Sequence, residues 1–535
     1  MDTASVRLLA TRFFGIITLA LWVVAWAGPV SAQSFAYKQA VAESAAGDRA
    51  LAEFYKARDY DTLWTGADDR ARRAAFLKAL DAAQLHGLPV TRYDDEKLAR
   101  MFRAARTPRD IGRVEVEASR MFLQYARDIQ TGVLEPSTLD DGIKRRPDRR
   151  DRQAQITAFS KSTPDAYLRS LIPASIEYNR LLAEKLRLEK VVGDGGWGAE
   201  VPGGKLEPGD SAPRVVALRN RLVKMGYMRR SAVPVYDAAI QRAVQLFQQD
   251  HGLFSDGVVG EDTMAAINRP AVLRLQQVIV AMERERWLGA DRGRRHVLVN
   301  IPDFHVRLVE NGKVKFMTRS VVGLNSHDRR TPEFSDTMEH MIINPTWHVP
   351  RSIAVKEYLP MMKENPNAAG HLRLYDASGR VVNRNAVDFT RLTPGNFPFD
   401  LKQPPSRSNA LGLVKFMFPN RYNIYLHDTP QKSLFQREER DFSHGCVRLN
   451  DPFEFAYELL AGQQADPVGY FRSLLATGRE TQVNLKTPLP VHLIYRTAFT
   501  RAKGRVQYRN DIYGRDARIF DALRDAGVVL RAVRS

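Results

Sequence analysis

At Arg295 the spacing of apolar residues along this chain changes from a helical period to an alternating one. Upstream, apolar side chains recur three and four positions apart. Segment 167–188 is the clearest case: it has no glycine, and Leu168, Leu171, Ile172, Ile176, Leu181 and Leu182 fall on one stripe. Downstream, Val297, Val299 and Ile301 share one side of an extended segment, as do Val306 and Leu308. Asn311-Gly312 then marks a two-residue hairpin turn ahead of Val314, Phe316 and Thr318. A period of 3.6 buries one stripe of a helix and a period of two buries one face of a sheet, so the two stretches need separate cores. The fold class that follows is multidomain α+β.

The length of 535 residues allows three or four domains. Residues 36–195 read as a helical scaffold, with Pro173 marking either a kink or the first turn of a second helix. The charge-dense stretch 144–152 reads as a solvated loop. Glycine and proline crowd 196–212, which reads as a linker or an extended connection. Residues 213–268 form a compact three-helix unit: Val215, Leu218, Leu222 and Met225 face one way on the first helix, Gly226 ends it, and Ile240, Ala243, Val244 and Phe247 line the second. A helix from Ala271 to Trp287 leads into a mainly-β region, 295–500, with further strands expected at 338–343, 413–418, 422–426 and 491–495 and helices at 353–363 and Pro452–Leu460. Residues 352–410 are polar and loop-rich, and are expected to interrupt the strands as a lid or insertion. Residues 501–535 extend the same domain.

The formal charge of +19 favours anionic partners, but basic residues are spread along the chain, and no zinc-finger spacing or RNA-binding aromatic motif accompanies them. Nucleic acid is therefore not expected as a partner. At the N-terminus, Arg7 and Arg12 precede an apolar run, 13–27, then Gly28-Pro29 and the small residues Ser31 and Ala32. This is the pattern of a secretory signal over 1–32, implying the periplasm; left uncleaved, it would anchor the chain at the inner membrane. Exported chains often carry paired cysteines, yet this one has only Cys446. Read alone, it is a small buried core residue or a reactive thiol.

Its surroundings separate those readings. Cys446 stands in Ser443-His444-Gly445-Cys446-Val447-Arg448, 19 residues after His427, which closes Tyr425-Leu426-His427. A thiol needs a base or cation nearby to become a thiolate, and a histidine at a strand end facing the next loop supplies one. Gly445 lets the backbone approach a substrate, and amides ahead of the helix at Pro452 would form an oxyanion pocket. Arg448, two residues on, would point to the same side as Cys446 and bind a carboxylate. Each residue alone has a blander reading: a structural histidine, a surface arginine, turn residues. No second cysteine completes a metal site, so neither metal nor cofactor is expected.

Taken together, the His427 and Ser443-His444-Gly445-Cys446…Arg448 pattern resembles the YkuD-like L,D-transpeptidase family. The likeness extends to Asn344-Pro345-Thr346-Trp347-His348-Val349-Pro350-Arg351. Likewise, Ala243-Val244-Gln245-Leu246-Phe247-Gln248, His251-Gly252-Leu253 and Asp256-Gly257-Val258-Val259-Gly260 resemble peptidoglycan-binding domain 1. The order of parts is similar to the large multidomain subgroup of the transpeptidases, with a helical scaffold, a peptidoglycan-binding module and a capping insertion. The resemblance implies Cys446 as nucleophile and His427 as base. It also implies Ser443, His444 and Gly445 around the oxyanion, Arg448 and Trp347 toward substrate, and acylation of the cysteine by carbapenems. The implied partners are peptidoglycan stem peptides and glycan, and the implied product is a 3–3 cross-link formed with release of D-alanine. Asp428 stands where many smaller members have glycine, so the group that orients His427 stays open between a side chain and a backbone carbonyl.

Overall fold

The computed structural model describes residues 28–289, 291–501 and 505–531, with the side chains of 28–32 excepted. The expected signal at 1–32 thus lies mostly outside the described residues. Among the described residues, no helix is long and apolar enough to cross a membrane.

The helical scaffold is organised around the 24-residue helix Pro108–Thr131, which Thr107 and Asp110 cap reciprocally. Its buried face, with Phe122, Tyr125, Ala126 and Ile129, packs against Trp64, Phe76 and Phe159. Pro173 neither kinks a helix nor starts one. Helix Pro164–Leu171 ends ahead of it, and Ile176–Gly193 begins after Ser175, whose hydroxyl accepts from the Tyr178 amide. The stretch 144–152 is irregular but not wholly solvated, because Arg145 is buried against the large sheet and donates to the Leu493 carbonyl at 2.7 Å.

The Gly/Pro stretch takes the extended form. Val201 and Leu206 are buried in the core of the three-helix unit, and Leu206 bridges to Val259. Helices Pro213–Lys224, Ala238–His251 and Glu261–Asn268 complete that unit. Helix Ala271–Leu288 then passes through the middle of the molecule, buried on every side, with Arg274, Glu283, Arg284, Glu285 and Arg286 all inside.

The large sheet has nine strands in the order Asp441–Ser443, Lys313–Gly323, Val447–Leu449, Leu426–His427, Val414–Met417, Phe334–Ile343, Thr481–Ile494, Arg295–Asn300, His305–Glu310. The last strand also pairs with Lys313–Gly323, so eight of the nine close into a ring and leave Asp441–Ser443 outside it. Asn311 and Gly312, both at positive φ, make the hairpin turn their sequence predicts. The strand expected over 422–426 is reduced to Leu426–His427. Asn423 adopts φ +59°, and the Asn420 side chain holds 420–424 as a turn by donating to the Phe418 and Ile424 carbonyls.

Two parts differ from expectation. Residues 352–410 join the strand Trp347–His348 in a small folded unit with a four-stranded sheet and a core that includes Trp347, Leu359, Met362, Leu374 and Phe397. The C-terminal hairpin and helix Arg515–Asp525 do not extend the catalytic core: Val506, Ile519, Phe520 and Leu523 join the scaffold core instead. The apolar stripe of that helix packs against Ala271–Leu288, which already belongs to the scaffold.

Candidate active site

Strand alternation assembles the site. Leu426, Val447 and Leu449 are fully buried in the sheet core. Leu426 lies beside Val447 and His427 beside Arg448 in parallel register. Residues one removed from the core positions must face the other way, so Tyr425, His427, Cys446 and Arg448 share the opposite face. Lys415, the antiparallel partner of His427, joins them. Tyr425, His427, Cys446 and Arg448 line a cleft of about 750 Å³, roofed by the small unit over 352–410.

His427 is buried, and its Nδ1–H donates to the Asp428 backbone carbonyl at 2.5 Å, which leaves Nε2 as the basic nitrogen. Asp428 therefore orients the imidazole through its main chain. Its carboxylate is used elsewhere: it accepts from the Leu413 amide at 2.9 Å and from Lys432 Nζ at 2.8 Å. Gly412, at φ +61°, permits this approach, since a β-carbon there would lie 2.3 Å from that carboxylate. Burial, then the Arg448 cation, pushes the His427 pKa down to about 3.

Cys446 is half-buried, and its thiol points at the Asn423 carbonyl, 3.6 Å away. Burial pushes the thiol up to about 11, opposed by hydrogen bonds from Tyr425 and by the charges of Arg448 and Lys415. Both groups of the resting pair are thus uncharged at neutral pH. The charges of Arg448 and Lys415 favour the thiolate and disfavour the imidazolium.

The expected oxyanion residues divide in role. Ser443 Oγ donates to the Cys446 carbonyl at 2.5 Å and accepts from the Gly445 amide at 3.1 Å, so the Gly445 N–H is already engaged. The amides ahead of the helix at Pro452 are engaged too: Asn450 donates to the Arg319 carbonyl and Asp451 to Thr318 Oγ1. The His444 and Cys446 amides have no acceptor among the described residues. Gly445 sits at φ +112°, and its carbonyl accepts from Thr331 Oγ1 at 2.7 Å. The His444 ring does not face the nucleophile; it meets Glu357 of the roof at 2.6 Å, beside Arg329.

Arg448 faces the cleft as expected and donates to Gln431 at 2.6 Å, while its Nε has no partner. Trp347 touches the cleft only at its rim, being 8% exposed and packed near Tyr358 in the roof core. Sequence reasoning missed Lys415, Asn423, Thr331 and Glu357. Lys415 alone left a signal, as the polar residue between Val414 and Phe416 on an expected strand.

Residues 294–469 match the family described as the L,D-transpeptidase catalytic domain, YkuD. The chain carries a YkuD-type L,D-transpeptidase catalytic domain. Ahead of it, residues 49–184 match a scaffold domain and residues 211–267 match a "Putative peptidoglycan binding domain". A "Putative L,D-transpeptidase" from Haemophilus influenzae is 32% identical over 242 residues, 45% of this chain and 48% of that protein. The chain therefore spans about half the length of this curated relative. Solved L,D-transpeptidases from Xylanimonas cellulosilytica and Stackebrandtia nassauensis each cover 55% of the chain. The first is 17% identical over all of its own length with a TM-score of 0.17, and the second is 13% identical over 96% with a TM-score of 0.21, scores that carry no argument about fold. Within the YkuD-type domain, Cys446 and His427 both lie inside the matched residues.

Proposed function

We propose that this protein is an L,D-transpeptidase that joins peptidoglycan stems by 3–3 cross-links through a thioester on Cys446. The observation that carries the reading is the placement of His427, Cys446 and Arg448 on one face of two parallel-paired strands, with Lys415 beside His427 on the antiparallel neighbour, under a roof, inside a YkuD-type domain. Cys446 Sγ attacks the carbonyl carbon of the third stem residue as its proton passes to His427 Nε2. The tetrahedral oxyanion lies against the unengaged His444 and Cys446 amides. Collapse expels D-alanine, whose amine takes the proton from His427, and leaves the acyl group on sulfur. The side-chain amine of a second stem then attacks. Arg448 holds a stem carboxylate, Ser443 and Gly445 set the loop that presents Cys446, and Trp347 borders the donor's path. The 213–268 module tethers the enzyme to the wall, and the segment over 1–32 exports it to the periplasm.

The same thioester would serve water or a protein amine. The roof favours the amine of a stem, because excluding water suppresses hydrolysis. Incubation with disaccharide-tetrapeptides and mass analysis of the products tests this. Dimers lacking one D-alanine are expected, whereas free tripeptide alone would contradict transpeptidation.

A further inference from the structure

A second cleft, of about 830 Å³, opens between the helical scaffold and the catalytic sheet. Its wall and that of the catalytic cleft have one side chain in common, Tyr422. The next residue, Asn423, supplies the carbonyl at which the Cys446 thiol points. The second cleft therefore ends one residue from the nucleophile's neighbour. Tyr422 is fixed at this junction: the Asn420 side chain accepts from the Tyr422 amide at 3.0 Å, and the Tyr422 ring stands edge-on to Phe334 at 5.0 Å.

The scaffold side of this cleft is built to present cations. Ile143 bridges to Glu333 and the Lys144 amide donates to the Glu333 carbonyl, so this segment runs along the start of strand Phe334–Ile343. Arg145 turns inward, donating to Ser335 Oγ and the Leu493 carbonyl. In an extended segment its neighbours Lys144 and Arg146 then face outward, into the cleft. Lys144 Nζ lies 5.8 Å from the Tyr422 ring centre, and the Arg421 guanidinium 5.0 Å from it. Among the described residues no carboxylate is ion-paired with Lys144, Arg146 or Arg421. Glu285, in the same wall, is already held by Arg292 and Arg496.

We propose that this cleft is the acyl-acceptor site, taking a carboxylate-bearing peptide with a free primary amine and leading it past Tyr422 to the acyl group on Cys446. The proposal rests on Cys446 as acyl carrier. Donor and acceptor are chemically alike and react at different atoms, so they need two sites that meet at the nucleophile. In the step, the amine nitrogen attacks the thioester carbonyl carbon, a C–N bond forms and the C–S bond breaks. The proton lost by nitrogen reaches the thiolate through His427, and no further reactant is consumed. Lys144, Arg146 and Arg421 hold the acceptor's carboxylates.

The test separates the two half-reactions, using disaccharide-tetrapeptide as donor and, as acceptor, either a free anionic stem tripeptide or glycinamide, which carries no carboxylate. In the combined variant Lys144→Gln, Arg146→Gln and Arg421→Gln, D-alanine release in the first turnover should stay within about twofold of the parent. KM for the tripeptide should rise about tenfold, the equivalent of one guanidinium–carboxylate contact, and KM for glycinamide should not move. An unchanged tripeptide KM, or an equal rise for both acceptors, would overturn the proposal. In the unsubstituted protein, added salt should raise KM for the tripeptide and not for glycinamide; salt independence would also overturn it. If no acyl-enzyme forms at all, the reading of function fails instead. The cleft is then judged by tripeptide titration of Cys446→Ala protein, where the triple substitution should weaken binding about tenfold.

Discussion

Cys446 and His427 share one cleft as a neutral thiol and a neutral imidazole, because the burial that raises one pKa lowers the other. Arg448 and Lys415 then act oppositely on the two, aiding the thiolate and opposing the imidazolium. With the thiol pushed up to about 11, the thiolate fraction is small at neutral pH and grows as pH rises toward that value. The rate of iodoacetamide alkylation of Cys446 should therefore still be climbing at pH 10, and Arg448→Gln should slow it at pH 8. A rate that levels off below pH 8 would contradict this. The candidate pair Cys446 and His427 was legible in the sequence, since lone cysteine, flanking Ser-His-Gly and upstream histidine together have few structural explanations. Lys415 was not, because its place opposite His427 depends on a register that no local pattern encodes.

At the scale of elements, the loop that presents Cys446 is fastened from outside itself. Thr331 Oγ1 accepts from the Gly323 amide at 2.8 Å and donates to the Gly445 carbonyl at 2.7 Å, tying the end of one strand to the turn before the nucleophile. Thr331→Val keeps the shape and strands both backbone groups, each at a cost of about 1–3 kcal/mol. Denaturant unfolding should report a loss of about 2–6 kcal/mol for the two groups together, and acyl-enzyme formation should slow with little change in donor KM. Unaltered acylation would show that the loop holds its own geometry. The strands around Val297, Val306 and Val314 were readable from alternation, and the hairpin from Asn-Gly. The four-stranded unit over 352–410 was not: its strands are two to four residues long, too short to establish a period. The wide helical turn Ala354–Tyr358 carries Lys356 and Glu357, which reach Asp328 and His444 and so hold the roof against the catalytic domain.

Across the whole molecule, helix Ala271–Leu288 and the C-terminal segment make scaffold and catalytic domain one body. Arg284 pairs with Glu333 at 2.6 Å and with Asp516 at 3.1 Å, while Arg515 pairs with Glu333 at 3.1 Å and with Asp140 at 3.2 Å, all of them buried. This arrangement hid from the sequence because a helix whose buried face is built of paired charges reads as a solvated one. Burial also pushes His86 and His492 down to about 4, and His427 to about 3. The unfolded chain takes up protons at these histidines below pH 6.5 and the folded chain does not, so stability is lost as pH falls from 6.5 toward 4. Each contributes up to ~1.4 kcal/mol per pH unit. Thermal unfolding midpoints should fall steeply over that window, and a flat profile would contradict the neutral burial of these rings.

Acylation of Cys446 can be measured directly. The protein is mixed with disaccharide-tetrapeptide, quenched in acid and weighed intact. A mass gain equal to the substrate less D-alanine, matched by an equivalent of released D-alanine and absent in Cys446→Ala, is the predicted result. D-alanine release that persists in Cys446→Ala would contradict it.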